Sequence, residues 1–287
     1  MYEKKESFFE NSLNTDGKRR LLFKKQKQVY AIWSSPEQTD RENYGRFFDT
    51  IEYARSFKEL PSVITDKESL EGCDALLSIE GAGLLEGDEK RLDALYESGV
   101  RLITLTWEGE NCVGGAYDTD KGLTDFGKTV CEICADKGIL VDISHLSDKG
   151  TDEVLDIARV TGLSVLASHS CMRSLCDERR NLTDDHAKRL ARLGGCIGIN
   201  LVGTHLTKSY FEGGASIADV LRHIDRAIDV MGREAVCIGA DFDGTEKLPK
   251  NIGGIEDMHR LYGAIPEALA EDVFYGNAYN FFKRSLK

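Results

Sequence analysis

Seven short, almost uninterrupted apolar runs constrain this 287-residue chain more than any other feature. They occupy residues 29–33, 75–80, 102–107, 139–145, 164–169, 196–201 and 236–241, and most end in a polar side chain. Runs of that length, rich in β-branched and aliphatic residues, suit strands covered on both faces, as in a parallel sheet. Between them lie amphipathic stretches at helical spacing, over 88–98, 124–137, 148–160, 184–193 and 217–231. Gly99, Gly138, Gly162 and Gly194 follow four of these, where a helix is commonly closed by glycine. Strand alternating with helix predicts the α/β class, with crossover connections.

The choice is then between an open doubly wound sheet and a closed barrel. No G-x-G-x-x-G opens a helix after the first strand, so a dinucleotide-binding sheet has no support. A TIM-type (β/α)8 barrel places its functional side chains at the C-terminal ends of several strands. Glu80, Trp107, His145, His169 and Asp241 each close an apolar run, which favours the barrel. Only seven strands are found, and the missing one should precede Val29. Residues 1–28 are strongly charged, with no apolar run longer than Leu21-Leu22-Phe23. The expectation is one domain over residues 1–287, a barrel lacking its first strand.

Composition narrows the partners. Lys and Arg number 37 against 49 Asp and Glu, a formal charge of −12, which argues against nucleic acid or an anionic lipid surface. No apolar run approaches the ~20 residues of a membrane span. The opening residues Met1 to Glu6 hold no apolar stretch, so the expectation is a chain without a secretory signal, in the cytoplasm. Eight cysteines spread thinly over a long chain are unlike a disulfide framework. Cys131 and Cys134 fall in a helical pattern, without a second pair at zinc-ribbon spacing, and read as buried thiols packing as small hydrophobes.

The strand-end residues form a set with chemistry in it. If the barrel holds, one glutamate, two histidines and an aspartate converge on one rim. Carboxylate and imidazole are ligands for zinc and similar divalent ions. Such ions generate a nucleophile from water near neutral pH, and an aspartate on the last strand can manage its proton. Taken singly, a strand-end histidine is more often packed or solvated; two of them with Glu80 and Asp241 point to a metal site. His186, His223 and His259 fall in helical or loop stretches and read as solvated. His205, beyond the run ending at 201, is a further candidate for the rim.

Six motifs, in order, carry a resemblance: Ile79-Glu80-Gly81, Leu105-Thr106-Trp107, Asp142-Ile143-Ser144-His145, Ser168-His169-Ser170, Arg179-Arg180-Asn181-Leu182-Thr183-Asp184 and Gly239-Ala240-Asp241-Phe242-Asp243-Gly244. From about Val29 onward the chain resembles the renal (membrane) dipeptidases, the M19 metallopeptidases of the amidohydrolase superfamily. The resemblance implies a binuclear zinc (Zn2+) site that cleaves dipeptides. It implies Glu80 as the bridging carboxylate, His145 and His169 as ligands of one metal, and Asp241 as the acid/base. Arg180 matches the residue that binds the dipeptide's free carboxylate, a task suited to a guanidinium. Read without the resemblance, Arg180 sits in a charge cluster and Thr183 is a helix N-cap.

Two departures stand out. The family carries His-x-Asp on its first strand, ligating the other metal, and this sequence has no such pair before Val29. The absence coincides with the missing strand, so the expectation is a sequence short of the family's N-terminal segment; otherwise one metal has two ligands fewer. Second, many members have a substrate-contacting histidine where this chain has Trp107, whose indole N–H only donates. Trp107 then walls the pocket, donates to the substrate, or merely packs, and Asn111 is the most plausible polar contact nearby.

The expected function is therefore a zinc-dependent dipeptidase, with one metal site weakened or lost. The alternatives are another amidohydrolase reaction, on N-acyl amino acids or lactones, and a non-catalytic peptide-binding barrel. Expected partners are a small dipeptide substrate and neither nucleic acid nor membrane, with a homodimer left open.

Overall fold

All seven apolar runs become strands: β1 Gln28–Trp33, β2 Ala75–Glu80, β3 Val100–Thr104, β4 Leu140–Asp142, β5 Val165–Ser170, β6 Ile197–Asn200 and β7 Val236–Gly239. The computed structural model describes residues 2–58 and 60–287. The strands lie side by side in chain order, β1 to β7, each pair parallel. An order that never reverses has no switch point, so it is the TIM-barrel arrangement and not the doubly wound one. Among the described residues no ladder joins β7 to β1, and the curled sheet stays open along that seam. The seam falls where the sequence pattern is one strand short.

The near-continuous hydrophobicity of the strands has a direct cause, since both faces are buried. Leu77, Ile79, Ile103, Val141, Ile197 and Ile199 face outward into one large core shared with the helices. Leu76, Leu102, Leu140, Leu166, Cys196 and Cys237 face inward and form a second cluster, closed by Phe281 and Leu286 from the C-terminal end. Helices fill the intervals close to the expected places: Glu89–Glu97, Asp125–Lys137, Asp148–Thr161, Asp184–Arg192 and Ile217–Met231. Thr124, Ser147 and Thr183 cap three of them, each hydroxyl accepting a backbone N–H from the first turn. Gly138 and Gly162 close two at φ 74° and 75°, left-handed values that glycine adopts without a Cβ penalty.

Two strands stop earlier than their apolar runs. β4 ends at Asp142 because the Asp142 carboxylate itself accepts the Ser144 N–H at 2.9 Å, turning the chain out of the ladder. His145 therefore lies three residues beyond the strand. β3 likewise ends at Thr104, leaving Trp107 in the loop above the rim.

Residues 2–27 pack across the two sheet edges. Phe8 is buried against Tyr30 of β1, with ring centroids 5.8 Å apart. Asn14 exchanges hydrogen bonds with Asp243, beyond β7, at 2.5 and 3.0 Å. Arg19 pairs with Asp16 and, at 3.1 Å, with Glu256.

Two histidines expected in solvent are buried instead. His223 is 1% exposed; its Nδ1 accepts the Met172 N–H and its Nε2 donates to the Leu206 carbonyl, both at 3.0 Å. Burial pushes its pKa down, so the neutral ring is the stable form. His186 is also buried, with Nε2 3.2 Å from Asp152 of the neighbouring helix. Both sit on the inner faces of their helices, beside Val220 and Ala187, and the two hydrogen bonds of His223 and the Asp152 contact of His186 make that burial tolerable. His259 is exposed, as expected.

The β5 register shifts between Ala167 and Ser170, and that irregularity pushes the Ser168 carbonyl toward the next two strands. A Cβ on Gly198 would lie 2.1 Å from this oxygen, and one on Gly239 would lie 2.0 Å from it. Only glycine fits at either place. Gly198→Ala should therefore cost about 1–3 kcal/mol of stability, measured by urea unfolding, because backbone has to move to admit the methyl group.

Candidate metal centre

The strand ends bring the expected residues to one cavity of about 1670 Å3, open to the barrel interior and lined by Glu80, His145, His169, Arg180, His205 and Asp241. Glu80 is the last residue of β2, His169 lies within β5, and Asp241 is two residues past β7. His145 and Asp241 adopt φ values of 67° and 56°, the left-handed region that non-glycine residues rarely enter. Such strain persists only where the surroundings enforce it. At His145 they do, since its carbonyl accepts from Thr106 Oγ1 at 3.1 Å and from the Tyr117 N–H at 2.8 Å.

Glu80, His145 and His169 meet in a tight triangle. Glu80 Oε1 is 3.1 Å from His145 Nε2 and 3.2 Å from His169 Nε2. The two Nε2 atoms are 3.0 Å apart. His145 Nδ1 lies 3.0 Å from the Trp107 carbonyl, which can only accept, so Nδ1 holds the hydrogen. Nε2 of the neutral ring is then a bare lone pair. Burial, with the nearby Arg180 guanidinium, pushes the His145 pKa down to about 4 and keeps the ring neutral. Burial opposes charge on His169 as well, but the facing Asp241 and Glu80 carboxylates carry its pKa upward. For Glu80, burial favours the protonated form, and an imidazole facing it outweighs that wherever the ring carries a proton, holding the carboxyl well below its usual range.

These three atoms fit a metal ion. Ligands at ~2.0–2.1 Å around a tetrahedral ion lie about 3.3 Å from one another, and His2Glu is an established zinc donor set. The 3.0–3.2 Å separations come within a few tenths of that spacing. Among the described residues this is the one group of three or more His, Cys, Asp or Glu placed to hold an ion.

The other predicted residues divide. Asp241 faces the triad, and burial raises the pKa of its carboxyl. Arg180 is 6% exposed; its guanidinium donates to Ser170 Oγ at 3.1 Å and to the His169 carbonyl at 2.9 Å. Its Nε is buried without a partner among the described residues, as is the indole Nε1 of Trp33. Trp107 lines the cavity, edge-on to Trp33 at 5.0 Å, and its carbonyl is what orients His145. Asn111 does not reach the cavity, a correction to the sequence expectation. Its amide donates to the Leu105 carbonyl and accepts from the Val113 and Gly114 N–H groups, so its own loop occupies it.

His205 does line the rim, and burial, then Arg180, pushes its pKa down to about 3. Cys171 and Cys176 turn away from the triad, their thiols directed at the carbonyls of Asn200 and Thr204. Sequence reasoning missed Trp33 and Tyr117, which also wall the cavity. The only signal for Trp33 was its place at the end of the first run, where an aromatic reads as core.

The class is thus an all-parallel α/β barrel that brings a carboxylate and two imidazoles together on its C-terminal rim, where they could hold a metal ion. The family model for membrane dipeptidase (peptidase family M19) matches residues 26–278, and the chain belongs to that family. Mouse (Mus musculus) Dipeptidase 3 is 29% identical over 279 residues, 88% of this chain and 55% of that protein. An uncharacterized protein in the pqqA 5' region of Klebsiella pneumoniae is 32% identical over 65% of this chain and 71% of its own length. The chain thus spans about half of the Dipeptidase 3 sequences it matches. A metallo peptidase from Rhodobacter sphaeroides, solved with a phosphinate mimic of the dipeptide L-Ala-D-Ala, shares the fold at a TM-score of 0.83 and 23% identity, over 96% of this chain and 91% of that one. The probable dipeptidase PvdM from Pseudomonas aeruginosa gives 0.79 at 19% identity, over 96% and 89%. Among the described residues no helix is long and apolar enough to cross a membrane.

Removing one member of the triangle should leave the fold but not the site. His169→Ala is expected to lose more metal affinity than the ~10–100-fold typical of an outer partner, with little change in unfolding midpoint. Metal analysis after dialysis, beside a denaturation curve, checks both.

Proposed function

We propose that this chain is a zinc-dependent dipeptidase holding one ion on Glu80, His145 and His169. The observation that carries the reading is the triangle itself: two ring nitrogens and a carboxylate oxygen facing one another within 3.2 Å, next to Arg180 and Asp241. A divalent cation there supplies Lewis acidity toward a carbonyl and a water acidic enough to act near neutral pH. Asp241, buried and with a raised pKa, is suited to take a proton from the attacking water and pass it to the leaving amine. Arg180 keeps an unpartnered Nε–H in the cavity wall, and a dipeptide's terminal carboxylate is the group that satisfies it. An anchor of that kind ends the site one residue beyond the scissile bond, which favours dipeptides over longer chains. The dipeptide mimic bound by the Rhodobacter relative supports the same substrate class.

The decisive experiment is hydrolysis of a dipeptide panel by the purified chain, with metal analysis alongside. About one zinc per chain and dipeptide cleavage abolished by chelation are expected. Cleavage of N-acyl amino acids alone would replace the reading with another amidohydrolase reaction, and a chain that takes no metal would make it a peptide-binding barrel.

Two substitutions separate the roles. Asp241→Asn should lower kcat by about 10²–10⁴-fold, the usual contribution of a positioned proton carrier. Arg180→Lys keeps the charge but not the planar fork, and should raise KM more than it lowers kcat in steady-state assays.

A further inference from the structure

Beneath the triangle lies a buried carboxylate to which neither the sequence motifs nor the proposed reaction assigns a task. Asp142, the last residue of β4, has no solvent exposure. Its Oδ1 accepts the backbone N–H of Ser144 at 2.9 Å and of Ser168 at 2.8 Å. Its Oδ2 accepts from Thr104 Oγ1 at 2.7 Å and from Ser168 Oγ at 2.5 Å. Four donors saturate the two oxygens.

The Ser168 hydroxyl has a single proton and two neighbours that compete for it. One is Asp142 Oδ2; the other is His169 Nδ1, at 2.7 Å. A carboxylate only accepts, so the proton is committed to Asp142. Ser168 Oγ can then offer His169 nothing but a lone pair, and His169 Nδ1 must be the donor. Nε2 is left bare, aimed at Glu80 and His145. Ser144 does not alter this balance: its Oγ lies 3.4 Å from Ser168 Oγ and accepts the His169 backbone N–H at 3.1 Å.

We propose that Asp142, acting through Ser168, sets the tautomer of His169, and is thereby a positioning residue of the metal centre. His145 obtains the same tautomer from a backbone carbonyl, which no side-chain substitution removes. For His169 the direction is written in side chains, so it can be reversed. In Asp142→Asn the two backbone N–H groups still require an oxygen at the Oδ1 position, which puts the amide NH2 at Oδ2. That NH2 donates to Thr104 Oγ1 and Ser168 Oγ. The Ser168 proton is released toward His169 Nδ1, and the ring proton moves to Nε2, where it blocks ligation. Shape is nearly unchanged.

The inference rests on the metal reading for its consequence, but not for its first test. Nitrogen-15 NMR of the metal-free, full-length protein at alkaline pH reads which nitrogen of His169 is protonated. The wild type is expected to show a protonated Nδ1, and Asp142→Asn a protonated Nε2. Co2+ titration by calorimetry should show Ser168→Ala weakened about 10–100-fold, the range for losing an outer hydrogen bond to a ligand, and Asp142→Asn weakened further. An Asp142→Asn protein whose His169 keeps its proton on Nδ1 overturns the inference, as do variants that bind Co2+ like the wild type. Should Asp142→Asn fail to fold, Ser168→Ala decides alone, with Ser168→Thr restoring the affinity. A wild type that takes no Co2+ defeats the metal reading, and the tautomer comparison still decides this one.

Discussion

Lone pairs repel, and this barrel holds three sets of them together in a place largely closed to water. Two imidazole nitrogens and a carboxylate oxygen within 3.2 Å raise the free energy of the folded chain unless a proton or a cation sits among them. The arrangement cannot relax, because each group is held from behind. The Trp107 carbonyl fixes one ring, Ser168 the other, and Glu80 stands at the end of a strand paired on both sides. Under the proposed reading, stability given up at this point becomes affinity for a divalent ion.

The surrounding scaffold accepts local penalties to keep that geometry. His145 and Asp241 take left-handed backbone conformations, and each such residue costs roughly 1–3 kcal/mol. The irregularity in β5 that presents His169 drives the Ser168 carbonyl into space that only Gly198 and Gly239 leave free. A polar layer, with Thr104, Asp142 and Ser168 interlinked, replaces the aliphatic packing found lower in the barrel. A buried carboxylate is tolerable here because four donors satisfy it. Site and fold are thus one construction, in which the glycines of β6 and β7 serve the histidine of β5.

The seam between β1 and β7 gives the molecule a second character. The cavity below the rim continues down the barrel interior, past Leu76 and Cys237. Residues 2–27 meet both edges through Phe8 and Asn14, without adding a strand to either. Glu80 and His169 sit on strands with ladders on both flanks, while His145 and Asp241 stand beyond the ends of theirs. The four residues therefore differ in how firmly the sheet holds them.

Much of this was legible in the chain. Near-continuous apolar runs alternating with amphipathic stretches specify strands buried on both faces, so the parallel α/β class followed directly, as did the shortage of one strand. Residues closing those runs had to share a rim, which picked out Glu80, His145 and His169. What local pattern cannot carry is the direction of a side chain beyond a strand end. Asn111 seemed a substrate contact, but its amide turns into its own loop, and Trp107 contributes its carbonyl as much as its indole. His186 and His223 looked solvated because they fall in helical stretches and close no apolar run, yet their helices bury them. Sequence periodicity records which residues avoid water; only the folded chain decides which hydrogen-bond partner each polar atom meets, because those partners arrive from strands tens of residues away.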